Sequence, residues 1–328
     1  MKHFPICDLH ADLLCYLAHD SNRTFFDRAA RCSIPQLKSG GVQTQILPIF
    51  VETAQGSVAS GAAQAQIFQK IRPVVAEAHG IGLWMAIENA SSFSDENEPI
   101  QESLKRLEAF QTQAGKILYI SLTWNTENRF GGGAHTQIGL KRDGKLLLEY
   151  LHQKKIAVDL SHASDPLAFD ILNYLDVKNL EMSVLASHSN FRQVTDAPRN
   201  LPDELACEIW RRKGVIGLNF VRYFIGAETP LYFVKQLEHV LKLGGEKQIC
   251  FGADFFYGDD VSPEYRKSPE ELFFPDYQDA TTYSRVISLW KENLQLDEEI
   301  LEGIAYKNFK SFFMKFNLEF SEIFAFST

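Results

Sequence analysis

What this chain lacks narrows it first. It has no excess of positive charge: 33 Lys and Arg against 42 Asp and Glu leave a formal net charge of −9. That argues against nucleic acid or an anionic membrane surface as its main partner, because both attract basic surfaces. Cysteines are few and unpaired. Cys7, Cys15, Cys32, Cys207 and Cys250 are odd in number, widely scattered and form no Cys-x-x-Cys, so neither a disulfide framework nor a cysteine zinc site is expected. No apolar stretch is long enough to span a bilayer, and Met1-Lys2-His3-Phe4-Pro5 leads into charged residues without the apolar segment of a signal peptide. The expected location is therefore the cytoplasm, with no membrane partner. Low-complexity linkers, short repeats, Gly-x-Gly-x-x-Gly turns and Walker-type loops are also missing.

What is present is an alternation of strand-like apolar runs with helical patterns. The runs are 4–9, 42–51, 81–87, 117–122, 156–160, 182–186, 215–220 and 249–251. Helical spacing falls between them, as at 99–113, 145–154, 202–212 and 230–243, where Leu231, Val234, Leu237 and Leu241 share a stripe. Eight strand-then-helix units within roughly 250 residues predict an α/β fold, a (β/α)8 TIM barrel, and runs apolar at nearly every position suit parallel strands buried on both faces. A doubly wound open sheet is the alternative, weakened by the missing phosphate-binding turns. The expected organisation is one hydrolase barrel domain over 1–328, with the barrel at about 4–255 and a C-terminal loop and helices at 256–328. Gly131-Gly132-Gly133 suggests a flexible connection, and 257–279 an irregular loop. Helices at 283–290 and 298–313 should pack on the barrel, with Phe309, Phe312, Phe313 and Phe316 as packing residues, not a ligand box.

The C-terminal ends of barrel strands carry the active site, so the polar residues closing each run matter most. Run one ends at His10 and Asp12, run three at Glu88, and run four at Trp124-Asn125. Run five ends at His162, run six at His188 and run eight at Asp254. Each alone has an ordinary explanation, a histidine satisfied by backbone or a carboxylate capping a helix. Their joint placement points to metal. Three imidazoles, Asp12 and Glu88 are too many ligands for one open tetrahedral zinc, but suffice for two metals if a carboxylate bridges. The expected sets are His10, Asp12 and Glu88 for one metal and Glu88, His162 and His188 for the other. Two close cations would acidify a shared water toward hydroxide near neutral pH. Asp8 alternates with His10 and Asp12, and its expected role is to orient His10 or neighbouring backbone. Asp254 is the candidate proton carrier. Arg199, in the loop after the sixth run, could hold a substrate carboxylate with its planar fork.

These motifs resemble the membrane (renal) dipeptidase family of metallopeptidases, with amidohydrolase-like barrels, nearly end to end. The resemblance rests on Asp8-Leu-His10-Ala-Asp12, the segment 34–45, Ile87-Glu88-Asn89, Gly139 to Gly144 with Val158-Asp159-Leu160-Ser161-His162, and Ser187-His188-Ser189. It continues through Arg199-Asn200-Leu201-Pro202-Asp203 and Phe251-Gly252-Ala253-Asp254-Phe255. It implies two zinc ions per chain bridged by Glu88 and a hydroxide that attacks a dipeptide held by its carboxylate at Arg199. It also implies tolerance of a D-residue at the C-terminal position, and a homodimer. Two departures stand out. Trp124 occupies the place of a histidine that polarises the scissile carbonyl in eukaryotic members; indole donates one hydrogen bond but cannot become cationic. Phe256-Tyr257 replaces an Asp-Gly common among relatives and is expected to reshape the substrate pocket. An N-acyl amino acid amidohydrolase and a catalytically silent metal- or peptide-binding relative are the alternatives.

Overall fold

A computed structural model of the chain describes residues 4–262 and 269–316. Eight parallel strands form one sheet in the order β6-β5-β4-β3-β2-β1-β8-β7. They are β1 Ile6–Asp8, β2 Val42–Phe50, β3 Gly82–Glu88, β4 Ile117–Ser121, β5 Ala157–Asp159, β6 Val184–Leu185, β7 Ile216–Leu218 and β8 Ile249–Phe251. A bridge between Ala186 and Ile216 joins the sheet's two ends, with Gly217 N donating to Ala186 O at 2.8 Å. Each of the eight expected runs holds one strand. Six of the eight strands are shorter than their runs; β3 is as long as its run, shifted by one residue to end at Glu88, and β8 matches its run.

Helices Leu13–His19, Ser57–His79, Ile100–Ala114, Arg142–Lys154, Asp165–Val177, Asp203–Arg211, Tyr232–Leu243 and Tyr283–Asn293 follow successive strands. Local chemistry fixes their starts. Ser164 caps the fifth by accepting from Leu167 N at 3.1 Å, ahead of Pro166 in the first turn. Asp203 and Glu204 open the sixth and Arg211 ends it, complementing the helix dipole. Tyr283–Asn293 sits against β8, where Trp290 stacks on Phe251 at 5.7 Å and donates its indole N–H to Phe233 O at 2.9 Å. Among the described residues no helix is long and apolar enough to cross a membrane.

The inside of the barrel is filled. Cys7, Ile46, Trp84, Leu118, Tyr119, Leu185 and Cys250 belong to one buried cluster with Phe309, Phe312 and Phe313. The last described helical stretch, Glu298–Glu302 continuing through a π-turn at Gly303–Lys307 into Asn308–Phe313, therefore packs its phenylalanines onto the strand interior. Asn308 fastens it beneath β8, donating to Glu246 O and Ile249 O at 2.9 and 2.8 Å. The side chain of Phe316 lies outside the described residues, as does the part of the 257–279 loop at 263–268.

One expectation is corrected. Gly131-Gly132-Gly133 is not slack chain. All three glycines are buried, and a Cβ on Gly133 would sit 1.9 Å from Trp124 O. Gly133 N donates to Thr126 O and Ser164 N to Gly132 O, both at 3.0 Å. Close approach of two backbones, not flexibility, requires glycine there.

Candidate metal centre

Six of the singled-out residues come together on the C-terminal rim. His10 and Asp12 follow β1, where Leu9 N donates to Phe251 O and Asp254 N to His10 O, at 2.9 and 3.0 Å. Glu88 ends β3, while His162, His188 and Asp254 lie in the turns after β5, β6 and β8. His162 (φ 66°), Asp254 (φ 61°) and Asn89 beside Glu88 (φ 77°) are left-handed without being glycine, backbone strain of about 1–3 kcal/mol each that the surrounding packing sustains.

The distances place histidine nitrogens beside both oxygens of one carboxylate. Glu88 Oε2 lies 3.0 Å from His10 Nε2, while Glu88 Oε1 lies 2.8 Å from His162 Nε2 and 3.7 Å from His188 Nε2. Asp12 Oδ1 and Asp254 Oδ1 stand 3.8 and 3.9 Å from His10 Nε2. The donor atoms of His10, Glu88 and His188 fall within 4.8 Å of one another, as do those of His10, Asp12 and Asp254. His10 and His188 stack at 3.6 Å.

Each imidazole is held from behind. His10 Nδ1 meets the Tyr119 hydroxyl at 3.0 Å, and that hydroxyl donates onward to Leu9 O at 2.7 Å. His162 Nδ1 meets Asn125 Oδ1 at 2.8 Å. His188 Nδ1 meets Ser187 Oγ at 2.7 Å, and this hydroxyl donates to Asp159 Oδ2 at 2.6 Å. Asp159 is pinned by the Ser121 hydroxyl and the backbone N–H groups of Ser161 and Ser187. Every Nδ1 therefore faces an acceptor, which puts its proton there and leaves all three Nε2 lone pairs aimed at the same space. Tyr119, Asn125, Ser187 and Asp159 are supports that strand-end reasoning did not assign. Asn125 and Asp159 lie in the polar segments 121–125 and 159–161 that close runs four and five, whereas Tyr119 and Ser187 lie outside them.

Electrostatics tests whether cations fit. Burial lowers the pKa of His162 and His188 well below the ordinary histidine value, keeping both neutral. Burial also raises Asp12 well above the usual carboxylate range, Glu88 to about 8 and Asp254 to about 7. Asp12 Oδ1 is buried without a hydrogen-bond partner. Bare imidazole nitrogens, carboxylates short of countercharge and an orphaned oxygen form a donor set suited to divalent metal.

Asp8 stands apart from the ring. Its Oδ1 accepts from His10 N and Gln45 Nε2 at 2.8 and 2.9 Å, and its Oδ2 from Ala253 N and the Tyr283 hydroxyl at 3.0 and 2.9 Å. It thus holds backbone under both His10 and Asp254. Asp254 Oδ2 accepts from Asn219 Nδ2 at 2.8 Å. Arg199 is buried beside the ring, its guanidinium donating to Ser189 Oγ and His188 O at 3.0 and 2.9 Å while its Nε–H has no partner. Trp124 is tilted toward His162 at 5.9 Å and meets Phe50 edge-on at 5.2 Å. A cavity of about 370 Å³ opens onto this rim, lined by Asp12, Glu88, Trp124, His162 and Asp254 among others.

A (β/α)8 barrel carrying a carboxylate-centred donor ring at its strand ends defines a candidate metal-dependent hydrolase scaffold. The sequence profile of the membrane dipeptidase family (peptidase family M19) matches residues 1–311, and the chain belongs to that family. It is 25% identical over 308 residues to an uncharacterized dipeptidase of Schizosaccharomyces pombe, covering 80% of this chain and 72% of that one. It is 29% identical over 184 residues to an uncharacterized protein from the pqqA 5' region of Klebsiella pneumoniae, covering 52% of this chain. A dipeptidase named verJ from Clonostachys rogersoniana is 30% identical over 146 residues, or 42% of this chain. The chain spans only 63% and 36% of the length of these last two relatives. Among solved structures, a metallo peptidase from Rhodobacter sphaeroides, liganded with a phosphinate mimic of the dipeptide L-Ala-D-Ala, superposes with a TM-score of 0.76 at 18% identity. It covers 95% of this chain and 99% of its own. A family M19 dipeptidase matches with the same TM-score and identity, covering 99% and 100%.

Proposed function

We propose that this chain is a binuclear zinc dipeptidase. The observation that carries the reading is the split of Glu88, one oxygen beside His10 and the other beside His162 and His188. His10, Asp12 and Glu88 would hold one zinc; Glu88, His162 and His188 the other. When bound, the metals supply an acidified water and polarise the scissile carbonyl. The protein's own groups do the rest. Asp254, its Oδ2 fixed by Asn219, holds the proton at Oδ1 and delivers it to the departing amine. Arg199, anchored by two of its donors, uses its remaining N–H groups for the dipeptide carboxylate. Trp124 and Phe50 form a wall against which substrate packs and from which water is excluded. Support for a D-residue at the C-terminal position comes from the L-Ala-D-Ala mimic held by the Rhodobacter sphaeroides relative.

The test is metal analysis of the purified protein together with a dipeptide panel carrying L- or D-residues at the C-terminal position, assayed with and without chelator. About two zinc per chain and chelator-sensitive hydrolysis are expected. Turnover that survives complete metal removal refutes the reading. Hydrolysis of N-acyl amino acids in preference to dipeptides would favour the amidohydrolase alternative.

A further inference from the structure

Outside the residues assigned above to metals and proton transfer, the cavity wall is mostly apolar. Tyr223 and Phe224 reach it from the segment after β7, and Phe256 and Tyr257 from the segment after β8. Phe50 and Trp124 face them from β2 and the turn after β4. Among the described residues no lysine or arginine lines it. Among the described lining residues the one further carboxylate, Asp260, is ion-paired with Arg23, whose guanidinium lies 4.4 and 5.0 Å from the rings of Tyr16 and Tyr257. His135 also lines the cavity, and burial together with the nearby charge of Arg199 lowers its pKa, which keeps it uncharged at neutral pH. Arg199 is not part of the lining and, in the reading above, is taken by the dipeptide's own terminal carboxylate.

A side chain entering this space therefore meets ring faces and alkyl groups. An apolar one gains by leaving water. Among the described lining residues a carboxylate finds no cation to receive it, and leaving water for ring faces and alkyl groups is costly. We propose that the site selects dipeptides bearing a large apolar or aromatic side chain and rejects those with an acidic side chain. The inference rests on the dipeptidase reading and adds the substrate class. Tyr223 is 53% exposed and belongs to neither the donor ring nor its supports, so it offers a place to invert the preference with little demand on folding.

The experiment measures kcat/KM of the metal-loaded protein on Ala-Phe, Phe-Ala, Ala-Leu, Ala-Glu and Glu-Ala. The best apolar substrate should exceed the best acidic one by about tenfold or more, the range that apolar pocket contacts command. Tyr223→Arg should narrow or reverse that ratio, and Tyr223→Lys should move it the same way. Equal or better turnover of the acidic substrates by the wild-type protein overturns the inference and leaves the dipeptidase reading standing. So does a ratio unmoved in both variants. No turnover of any dipeptide overturns the reading beneath it.

Discussion

Replacing Glu88 by glutamine separates a bridging carboxylate from an ordinary ligand. The substitution keeps volume and shape but removes the charge and turns one oxygen into an NH2 donor. That donor must face either His10 Nε2, now 3.0 Å from Oε2, or the His162 and His188 pair, now 2.8 and 3.7 Å from Oε1. On whichever side it falls, it hydrogen-bonds an imidazole lone pair and blocks that donor set, while the other set keeps only a neutral amide oxygen. Structural zinc sites with four ligands bind with about 10–16 kcal/mol, so one ligand contributes about 3 kcal/mol, or about a hundredfold in affinity. A bridging residue costs that at both positions. Dialysis against a zinc-buffering chelator, followed by elemental analysis, should take Glu88→Gln from about two metals per chain toward none. His188→Ala, which touches one set, should retain about one. A Glu88→Gln protein that holds both metals at wild-type affinity, or loses only one, refutes the bridge.

Four further outcomes are expected. Asp254→Asn should lower kcat by about 10²–10⁴-fold with metal content intact, since an amide oxygen can still accept from Asn219; unchanged turnover would remove Asp254 as proton carrier. Arg199→Lys should raise KM about 10–100-fold, the worth of a lost bidentate contact, without altering metal content; a matching loss of metal would make the residue structural. In metal-free protein, burial raises the pKa of Asp254 to about 7 and of Glu88 to about 8. The folded state then holds these protons more tightly than the unfolded chain, so their contribution favours the fold fully below the unfolded pKa of about 4 and is lost progressively from there until pH passes about 7 to 8. Metal loading must expel the protons, and calorimetry in buffers of different ionisation enthalpy should find more proton release at about pH 6 than at about pH 9. Finally, Phe309→Ala, at a side chain 1% exposed, should cost about 3–5 kcal/mol in denaturant unfolding; a loss under 1 kcal/mol would deny its packing role.

Much of this architecture was legible in the sequence because parallel barrel strands are buried on both faces and stand out as unbroken apolar runs. The rim donors were legible for a related reason: a run that ends in His or Glu marks the place where a strand leaves the core. The supports behind the donors were not. Tyr119 lies inside β4 and looks like any aromatic strand residue until the barrel closes and brings its hydroxyl to His10. Asp159 and Ser187 meet across neighbouring strands, a pairing set by register and not by spacing. Gly131 to Gly133 read as loose chain because close backbone approach leaves the same glycine signature as a flexible linker. Phe256 and Tyr257 were marked as pocket residues, but Tyr16, Tyr223 and Phe224 joined them only when separate rim segments came to face one cavity.

The four donors that satisfy Asp8 come from residues 10, 45, 253 and 283, the last 275 positions away. A growing chain emerging from the ribosome cannot complete this knot early, because β8 and the helix beyond it are made near the end. Until then, Asp8 lacks the Ala253 and Tyr283 donors, and the backbone beneath His10 is not fixed. The backbone under His10 and Asp254 is therefore fixed only once nearly the whole barrel has been made, so a metal held by this ring would enter a formed fold.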